Sequence, residues 1–325
     1  MSERPLPPPA ESFAPPPHLT APEAAAKAGL DLTLAKRVWR ALGMPEPDDR
    51  EVVFDDRDVE ALALLRGIME LGVPPDEMLT VTRLYGTTLA RIADAETRLF
   101  RDRILGAMAV EPGEGMEERL RPVMDSLLES TAHLLDQAHR RHLFLALNGL
   151  RAAGTGEGSA LATGFVDLVD FSRISEDLPG EELGGMIDAF EDLAVEACAE
   201  AGARLVKVIG DAVMFVSTEA PRALEAAATV VRRAEGSEVL PAARAGLDYG
   251  EVVALGGDYF GRPVNVAARI TAFARPSSVV ASEEFVDAVG RDAVDARRIG
   301  SRSLKGVGRV RLFKIRDTHP PAKGT

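Results

Sequence analysis

The stretch ARLVKVIGDAVMFVS, residues 203–217, consists of two short apolar runs separated by Gly210 and Asp211. Two valine-rich runs around a tight Gly-Asp turn are typical of a β-hairpin. A helical pattern precedes the hairpin, and a second one follows it. A strand-like run, ALATGFVDLV at 160–169, precedes the first helical pattern, and another, AARAGLDYGEVVA at 242–254, follows the second. The sequence therefore predicts the element order β-α-β-β-α-β.

That order is the split βαβ, or ferredoxin-like, arrangement. We expect one α+β domain over 160–318, followed by a short tail at 319–325. The Gly-rich segment GTGEGS at 154–159 predicts a flexible linker before it. Residues 19–153 carry helical patterns alone, and the Pro-rich residues 1–18 predict a disordered tail. The predicted fold class is thus α+β, a ferredoxin-like βαββαβ domain preceded by an all-α domain.

Composition excludes several classes of function. With 51 acidic and 38 basic residues the net charge is −13, which argues against a protein that coats nucleic acid or anionic lipid. One cysteine and five histidines leave no disulfide framework and no multi-cysteine zinc site. No apolar run reaches the roughly 18 residues of a membrane helix, and no signal peptide opens the chain. We therefore expect a cytoplasmic protein with no membrane partner.

Two carboxylates stand at adjacent strand ends. Asp167 in FVDLVDFS closes the first predicted strand, and Asp211 lies in the hairpin turn. Because the first strand lies beside the hairpin in this topology, both side chains can converge on Mg²⁺ or Mn²⁺ bound with a nucleoside triphosphate. For either residue alone, an ordinary strand end or turn aspartate is the more common explanation.

A second cluster is GGDYFGRPVNVAARI, residues 256–270. Pro263 suits the first turn of a helix, which places Asn265 and Arg269 at i and i+4 on one face. An amide beside a guanidinium can orient a sugar and neutralise a phosphoryl group, although an isolated pair of this kind is more often a solvated helix surface. Lys305, in the Gly-bounded loop SLKGVG, can reach a phosphate, but alone this signal is weak.

In their order and spacing these motifs resemble the catalytic domain of the class III nucleotide cyclases over essentially all of 160–316. The resemblance implies that Asp167 and Asp211 hold two divalent metal ions, Mg²⁺ or Mn²⁺, in each active site. It makes Asn265 and Arg269 the pair that stabilises the transition state. Lys305 matches the lysine that contacts the polyphosphate.

Lys207 and Asp258 match the family's base-reading pair. An ammonium can donate to N1 of adenine, and a carboxylate can accept from its exocyclic N6. Guanine presents a donor at N1 and an acceptor at O6, so both contacts would be mismatched and the substrate rejected. The resemblance thus implies ATP as the substrate.

In the family the metal aspartates and the base- and transition-state-binding residues come from opposite subunits. One chain here holds both sets, so the resemblance implies a homodimer with two shared active sites across a C2 interface. The chain departs from the family at Asp170, where Gly is usual, and at Ser172, where Thr is usual. Asp170 adds negative charge close to the phosphates. GGDYF also resembles the GGDEF motif of diguanylate cyclases, but Tyr259 replaces its Glu and the cyclase spacing favours the first resemblance.

Residues 19–66 resemble the helix-turn-helix of MerR-type regulators, with Lys36, Arg37 and Arg40 on the recognition helix. The alternative is a helical scaffold that has kept the shape without binding DNA, and the acidic charge favours it. The layout also resembles bacterial class III cyclases with an N-terminal helical regulatory domain.

Three of the five histidines, His133, His139 and His142, fall on the helix that leads into the linker. Histidine side chains change charge near neutral pH, so these residues suggest pH as a signal for the N-terminal domain, with Asp136 partly offsetting their charge. Solvated surface residues without a role are the more common explanation. A regulatory ligand is the other signal that the N-terminal domain could receive.

These observations predict a regulated adenylate cyclase that makes cyclic AMP and pyrophosphate from ATP. The alternative is a nucleotide-sensing or DNA-binding regulator with a weak or inactive cyclase domain.

Overall fold

The structure, a computed structural model, describes residues 16–101, 116–153 and 159–317. The chain divides into two compact units, residues 1–150 and 151–325. Most of the predicted tails and linker lie outside the described residues. Within the described residues, no helix has the length and apolar character needed to cross a membrane.

The first unit is mainly helical. Its elements are β1 Leu19–Thr20, α1 Ala21–Ala28, α2 Leu32–Ala41, β2 Val52–Phe54, α3 Asp56–Glu70, α4 Pro75–Leu99 and α5 Met116–Ala153. The helical patterns did not predict the ladder in which β1 pairs antiparallel with β2. This ladder buries Leu19 and Phe54 against Ala21 and Ala24 of α1.

Short-range signals set the helix ends in this unit. The Asp31 carboxylate accepts hydrogen bonds from the backbone N–H groups of Thr33 at 2.9 Å and Leu34 at 3.3 Å, which caps α2. The Glu23 carboxylate accepts from the Thr20 backbone N–H at 2.9 Å, as the T-x-x-E pattern predicts. Gly29 ends α1 in the left-handed conformation, with φ of 71°.

Over residues 159–317, the second unit contains an eight-stranded mixed sheet, five α-helices and the 3₁₀ helix Arg291–Ala293. Its elements are β3 Ser159–Leu168, α6 Phe171–Asp177, α7 Gly180–Ala201, β4 Arg204–Ile209, β5 Ala212–Ser217, α8 Ala220–Glu235, β6 Ala243–Leu255, β7 Asp258–Phe260, α9 Arg262–Phe273, β8 Ser278–Ser282, α10 Glu283–Val289, β9 Asp295–Leu304 and β10 Gly308–Asp317.

The strands follow the order β4-β5-β3-β6-β8-β10-β9, and β7 pairs with β6. The strand pairs are antiparallel except for β6 and β8, which run parallel. The first four strands thus have the ferredoxin-like order, and the predicted hairpin is β4-β5. The α+β fold class is confirmed.

Helices cover both faces of the sheet. One face packs against α7, α8 and α10, where Phe190, Ala223 and Phe285 are fully buried. The other face packs against α9, whose Ala267 contacts the cluster of Leu161, Phe165 and Met214. We call this the α9 face.

Gly246 allows α9 to approach the sheet closely. A Cβ atom at this position of β6 would lie 2.3 Å from the backbone nitrogen of Thr271, far inside contact distance. The glycine therefore allows a short distance between the sheet and α9, the helix that carries Asn265 and Arg269.

A buried polar cluster lies under the same helix. Asp248 of β6 is 0% exposed, and its Oδ1 accepts a hydrogen bond from the Ser282 hydroxyl, which also caps α10 at Phe285. Asp248 Oδ2 and the hydroxyl of Thr163, its register partner on β3, have no hydrogen-bond partner among the described residues. Burial raises the pKa of Asp248 to about 6, so the fold favours the protonated carboxyl.

Replacing Asp248 with Asn is expected to stabilise the protein near pH 7.5. The native state holds the carboxyl proton more tightly than the unfolded chain, so stability falls as pH rises from about 4 to about 6. A pKa of about 6 instead of 3.8 corresponds to about 3 kcal/mol lost above pH 6. Asn avoids this loss and can donate to Thr163. Thermal melts between about pH 4 and 7 measure it: the variant's advantage should grow with pH up to about pH 6 and stay constant above it.

Asp295→Asn, on an exposed residue of β9, is the matched control and should show no such growth. If the difference between the melting temperatures of Asp248→Asn and the wild type stays constant across this pH range, the prediction is wrong.

Candidate active site

A cleft of about 460 Å³ lies at the end of β3. Its lining residues are Asp167, Leu168, Asp170, Phe171, Ser172, Arg173, Asp211 and Arg244. Asp167 stands at the end of β3 opposite Ala212, the first residue of β5, so the turn before β5 brings Asp211 beside it. The predicted convergence of these two strand ends is thus present in the structure.

The two carboxylates in the cleft influence each other. Burial raises the pKa of Asp211, and the neighbouring Asp167 carboxylate raises it further. Arg244, the register partner of Asp167 on β6, donates to Asp167 Oδ2 from Nη2 at 2.6 Å and from Nε at 2.9 Å. Two carboxylates held this close favour the binding of a cation between them.

The donor set suits a hard divalent ion. Mg²⁺ is typically held by one or two carboxylates together with substrate phosphates and water, and both side chains here supply oxygen ligands. Among the residues that the structure describes, no three His, Cys, Asp or Glu side chains form a ready-made metal cluster. The remaining ligands would therefore have to come from substrate and solvent.

Lys207 and Asp258 form an ion pair, although 51 residues separate them. Lys207 lies on β4, and Asp258 opens β7. Burial raises the pKa of Asp258, but the hydrogen bond from Lys207 and the backbone N–H of Tyr259 outweigh it, so the net pKa is lowered. The carboxyl is therefore an ionised acceptor, and Lys207 is an adjacent cationic donor.

Asn265 and Arg269 lie one turn apart on α9, and both are exposed. Pro263 occupies the first turn, as the sequence predicts. No side-chain hydrogen bond or ion pair to another described residue restrains either group. Both can therefore meet a ligand without breaking an existing contact.

Lys305 is exposed in the turn between β9 and β10. In the strand order, β9 forms the sheet edge opposite β4, so the fold separates Lys305 from Lys207. None of the five base-reading, transition-state and polyphosphate candidates lines the cleft of Asp167 and Asp211. Within one chain, the metal candidates and the other candidates thus form separate groups.

Arg244 and Arg173 line the cleft but were missed in the sequence. The only signal for Arg244 is one charge within the strand pattern AARAGLDYG, and Arg173 looks like any solvated helix residue. Asp170 has a clearer structural mark, a φ of 58°. This left-handed conformation is one that glycine adopts without strain and that most other residues avoid.

In the first unit, the three candidate DNA-contacting cations are ion-paired within the chain. Their closest partners are Asp49 for Lys36 at 2.5 Å, Asp76 for Arg37 at 2.5 Å and Glu46 for Arg40 at 3.4 Å. Phosphate binding would have to displace these carboxylates. The positive charges of this helix are thus already neutralised within the chain.

The three histidines are exposed on α5. The Asp136 carboxylate accepts from Arg140 Nε at 2.8 Å, and this contact, together with the nearby His133 and His139, lowers the pKa of Asp136. The ring of His139 lies 6.4 Å from that of Tyr85 on α4. A charge change on α5 would therefore act beside an existing anion and an aromatic neighbour.

Comparisons with known proteins agree with this architecture. The family described as adenylate cyclase regulatory domain matches residues 17–148, and the adenylate and guanylate cyclase catalytic domain matches residues 158–317. An adenylate cyclase of Streptomyces coelicolor is 34% identical over 82% of this chain and 70% of its own length. A pH-sensitive adenylate cyclase of Mycobacterium tuberculosis is 32% identical over 92% and 78%.

Among solved structures, the adenylyl cyclase CyaB from P. aeruginosa is 20% identical, with a TM-score of 0.45 over 50% of this chain and 96% of that chain. The two matched domains, in this order, together with relatives of over 30% identity along most of the chain, place this protein in the class III adenylate cyclase family.

Proposed function

We propose that this chain converts ATP to 3′,5′-cyclic AMP and pyrophosphate as a cytoplasmic homodimer controlled by its N-terminal unit. The observation that carries the proposal is the cleft in which Asp167 and Asp211 lie side by side. We further propose residues 19–153 as the regulatory domain and 160–318 as the catalytic domain.

The reaction joins the ribose 3′-oxygen to the α-phosphorus and breaks the bond from that phosphorus to the pyrophosphate oxygen. Asp167 and Asp211 would hold two Mg²⁺ or Mn²⁺ ions. When bound, these ions lower the pKa of the attacking hydroxyl and offset phosphate charge. Arg269 stabilises the charge that develops on the α-phosphoryl group, and Asn265 orients the ribose. Lys305 neutralises the polyphosphate.

Arg244 would also contribute to phosphate binding in this scheme. Arg244 pairs with Asp167 and would have to leave this carboxylate for Asp167 to hold a metal ion. Once displaced from the carboxylate, Arg244 stays at the cleft wall, because its Nη1 also donates to the Ala272 carbonyl at 3.3 Å. It is then available to the anionic phosphates.

A homodimer would complete the site. The two groups of candidate residues do not share a cleft within one chain, and a C2 partner can supply the missing set to each cleft. The β6-β7 hairpin also exposes apolar side chains: Val253 and Leu255 are each 61% exposed, and Phe260 is 51% exposed. Burial of this hairpin against a second copy would remove that surface from water.

Base recognition by Lys207 and Asp258 leads to a prediction. Lys207→Glu combined with Asp258→Ser is expected to abolish the preference for ATP over GTP, because both adenine contacts are lost. Initial rates with each nucleotide, expressed as the ratio of kcat/KM values, measure the change. We expect the ratio to fall by at least about thirtyfold, since two contacts are lost and each good hydrogen-bond match is worth about 1 to 3 kcal/mol.

Arg297→Glu with Asp295→Ser makes the same charge changes on exposed positions of β9 and should leave the ratio unchanged. Retained ATP selectivity in the Lys207 and Asp258 double variant would remove these residues from the base pocket.

The proposed activity is tested by incubating the full chain with ATP and Mg²⁺ or Mn²⁺ and measuring cyclic AMP and pyrophosphate. Equimolar formation of both products is expected. Nucleotide binding without either product would favour the alternative, a nucleotide-sensing regulator. DNA binding is disfavoured by the ion pairs of Lys36, Arg37 and Arg40.

We propose two candidate signals for the N-terminal unit: a regulatory ligand, and protonation of His133, His139 and His142. The pH sensitivity in the name of the Mycobacterium tuberculosis relative supports it. Their exposure on α5 leaves all three open to solvent protons.

A further inference from the structure

Asp170 occupies a conformation that costs it free energy. Among the described residues, Asp170 and Ser277 are the two non-glycine residues with positive φ. A left-handed backbone costs most L-residues about 1 kcal/mol or more, and aspartate and asparagine tolerate it best after glycine. A carboxylate is therefore kept where glycine would be easier to accommodate.

The side chain of Asp170 lies in the candidate cleft. It is exposed and lines the cleft beside Asp211 and the Asp167–Arg244 pair. The cleft side chains comprise three carboxylates, of Asp167, Asp170 and Asp211, and two guanidinium groups, of Arg173 and Arg244. Without Asp170 the two remaining carboxylates and the two guanidinium groups would balance, so Asp170 gives the cleft of one chain its net negative charge.

Asp170 does not act as a third ligand in a ready-made site. The described residues contain no cluster of three ligating side chains, although Asp167 and Asp211 lie close enough to raise the pKa of Asp211. Its effect is therefore electrostatic: it attracts cations to the cleft and repels bare polyphosphate.

We propose that Asp170 makes binding of the triphosphate depend on divalent cations, because it excludes the metal-free polyanion from the cleft. This inference rests on the proposed function, in which the cleft receives the polyphosphate of ATP. With cations bound, the charge of Asp170 is offset and the triphosphate enters. Without them, the charge of Asp170 repels the polyphosphate and weakens its binding.

Asp170→Asn tests the proposal, since asparagine keeps the shape and the tolerance of positive φ but removes the charge. The probe is inorganic triphosphate, which carries the substrate's phosphate charges and cannot cyclise. Its Kd for the full chain is measured by calorimetry in EDTA and with saturating Mn²⁺. One unit charge about 6 Å from another, at an effective dielectric constant of about 40, changes affinity about tenfold.

We therefore expect Asp170→Asn to bind triphosphate about tenfold more tightly in EDTA and nearly unchanged with Mn²⁺. The ratio of the Kd in EDTA to the Kd with Mn²⁺ should therefore be smaller in Asp170→Asn than in the wild type. Asp177→Asn removes the same charge from an exposed position at the far end of α6 and should leave the ratio as in the wild type. Asp170→Gly should reproduce the Asn result and raise the melting temperature, because it relieves the backbone.

An unchanged ratio in Asp170→Asn, or an equal shift in Asp177→Asn, would overturn the proposal. So would failure of the wild type to bind triphosphate with Mn²⁺. Because the binding assay needs no turnover, the two proposals fail separately: a chain that makes no cyclic AMP but shows the Asp170 shift contradicts only the proposed function.

Discussion

Alanine at Asp167 or at Asp211 is expected to reduce cyclic AMP formation at least about a thousandfold. Metal ions stabilise transition-state charge by several kcal/mol, and each loss of about 1.4 kcal/mol costs a factor of ten in rate. Either substitution leaves one of the two proposed metal-binding carboxylates, which by itself cannot hold two ions. Rates at saturating Mg²⁺ and at saturating Mn²⁺ measure the effect.

The fold should survive both changes. Asp167 and Asp211 lie at strand ends on the cleft. We expect Asp211→Ala to change stability by about 1 kcal/mol or less, and Asp167→Ala to lose about 1 to 3 kcal/mol because it also removes the hydrogen bonds from Arg244. Asp177→Ala, which removes an exposed carboxylate at the end of α6, is the matched control and should keep wild-type activity. Near-wild-type activity of either cleft variant with Mg²⁺, at an unchanged melting temperature, would show that the metal assignment is wrong.

The second large effect is recovery of activity by mixing two inactive variants. Asp167→Ala and Arg269→Ala are each expected to be inactive as homodimers, because every shared site then lacks one half. After subunit exchange, half of the dimers are mixed, and each mixed dimer has one intact site. The mixture should therefore recover up to about a quarter of wild-type activity.

The control for this experiment is a mixture of Asp167→Ala with Asp211→Ala. Both substitutions damage the same half of the site, so no recovery is expected. If exchange is demonstrated with differently tagged chains and the first mixture stays inactive, the sites lie within single chains and the shared-site proposal is wrong.

Local sequence signals predicted much of the architecture. The short apolar runs and the Gly-Asp turn predicted β3, β4 and β5. These signals act between residues close together in the chain, so the printed sequence contains them in full. The same holds for Asn265 and Arg269, whose spacing places them on one face of α9.

The site residues came instead from a family resemblance. Spacing alone left Asp167 and Asp211 as possible strand-end residues and Arg269 as a possible solvated side chain. Only the order of several motifs along the chain separated these possibilities, because each motif by itself is common in proteins without this function.

The sequence by itself thus determined the βαββαβ order at the start of the second unit and the candidate residues. The tertiary structure decided which of them meet: Asp167 pairs with Arg244 across 77 positions, and Lys207 pairs with Asp258 across 51. It also buried Asp248 under α9 and neutralised Lys36 with Asp49. Contacts at such separations depend on strand order and register, which bring distant segments together. The physical reason is that a period of two tells which face a side chain occupies, but not which strand will lie beside it.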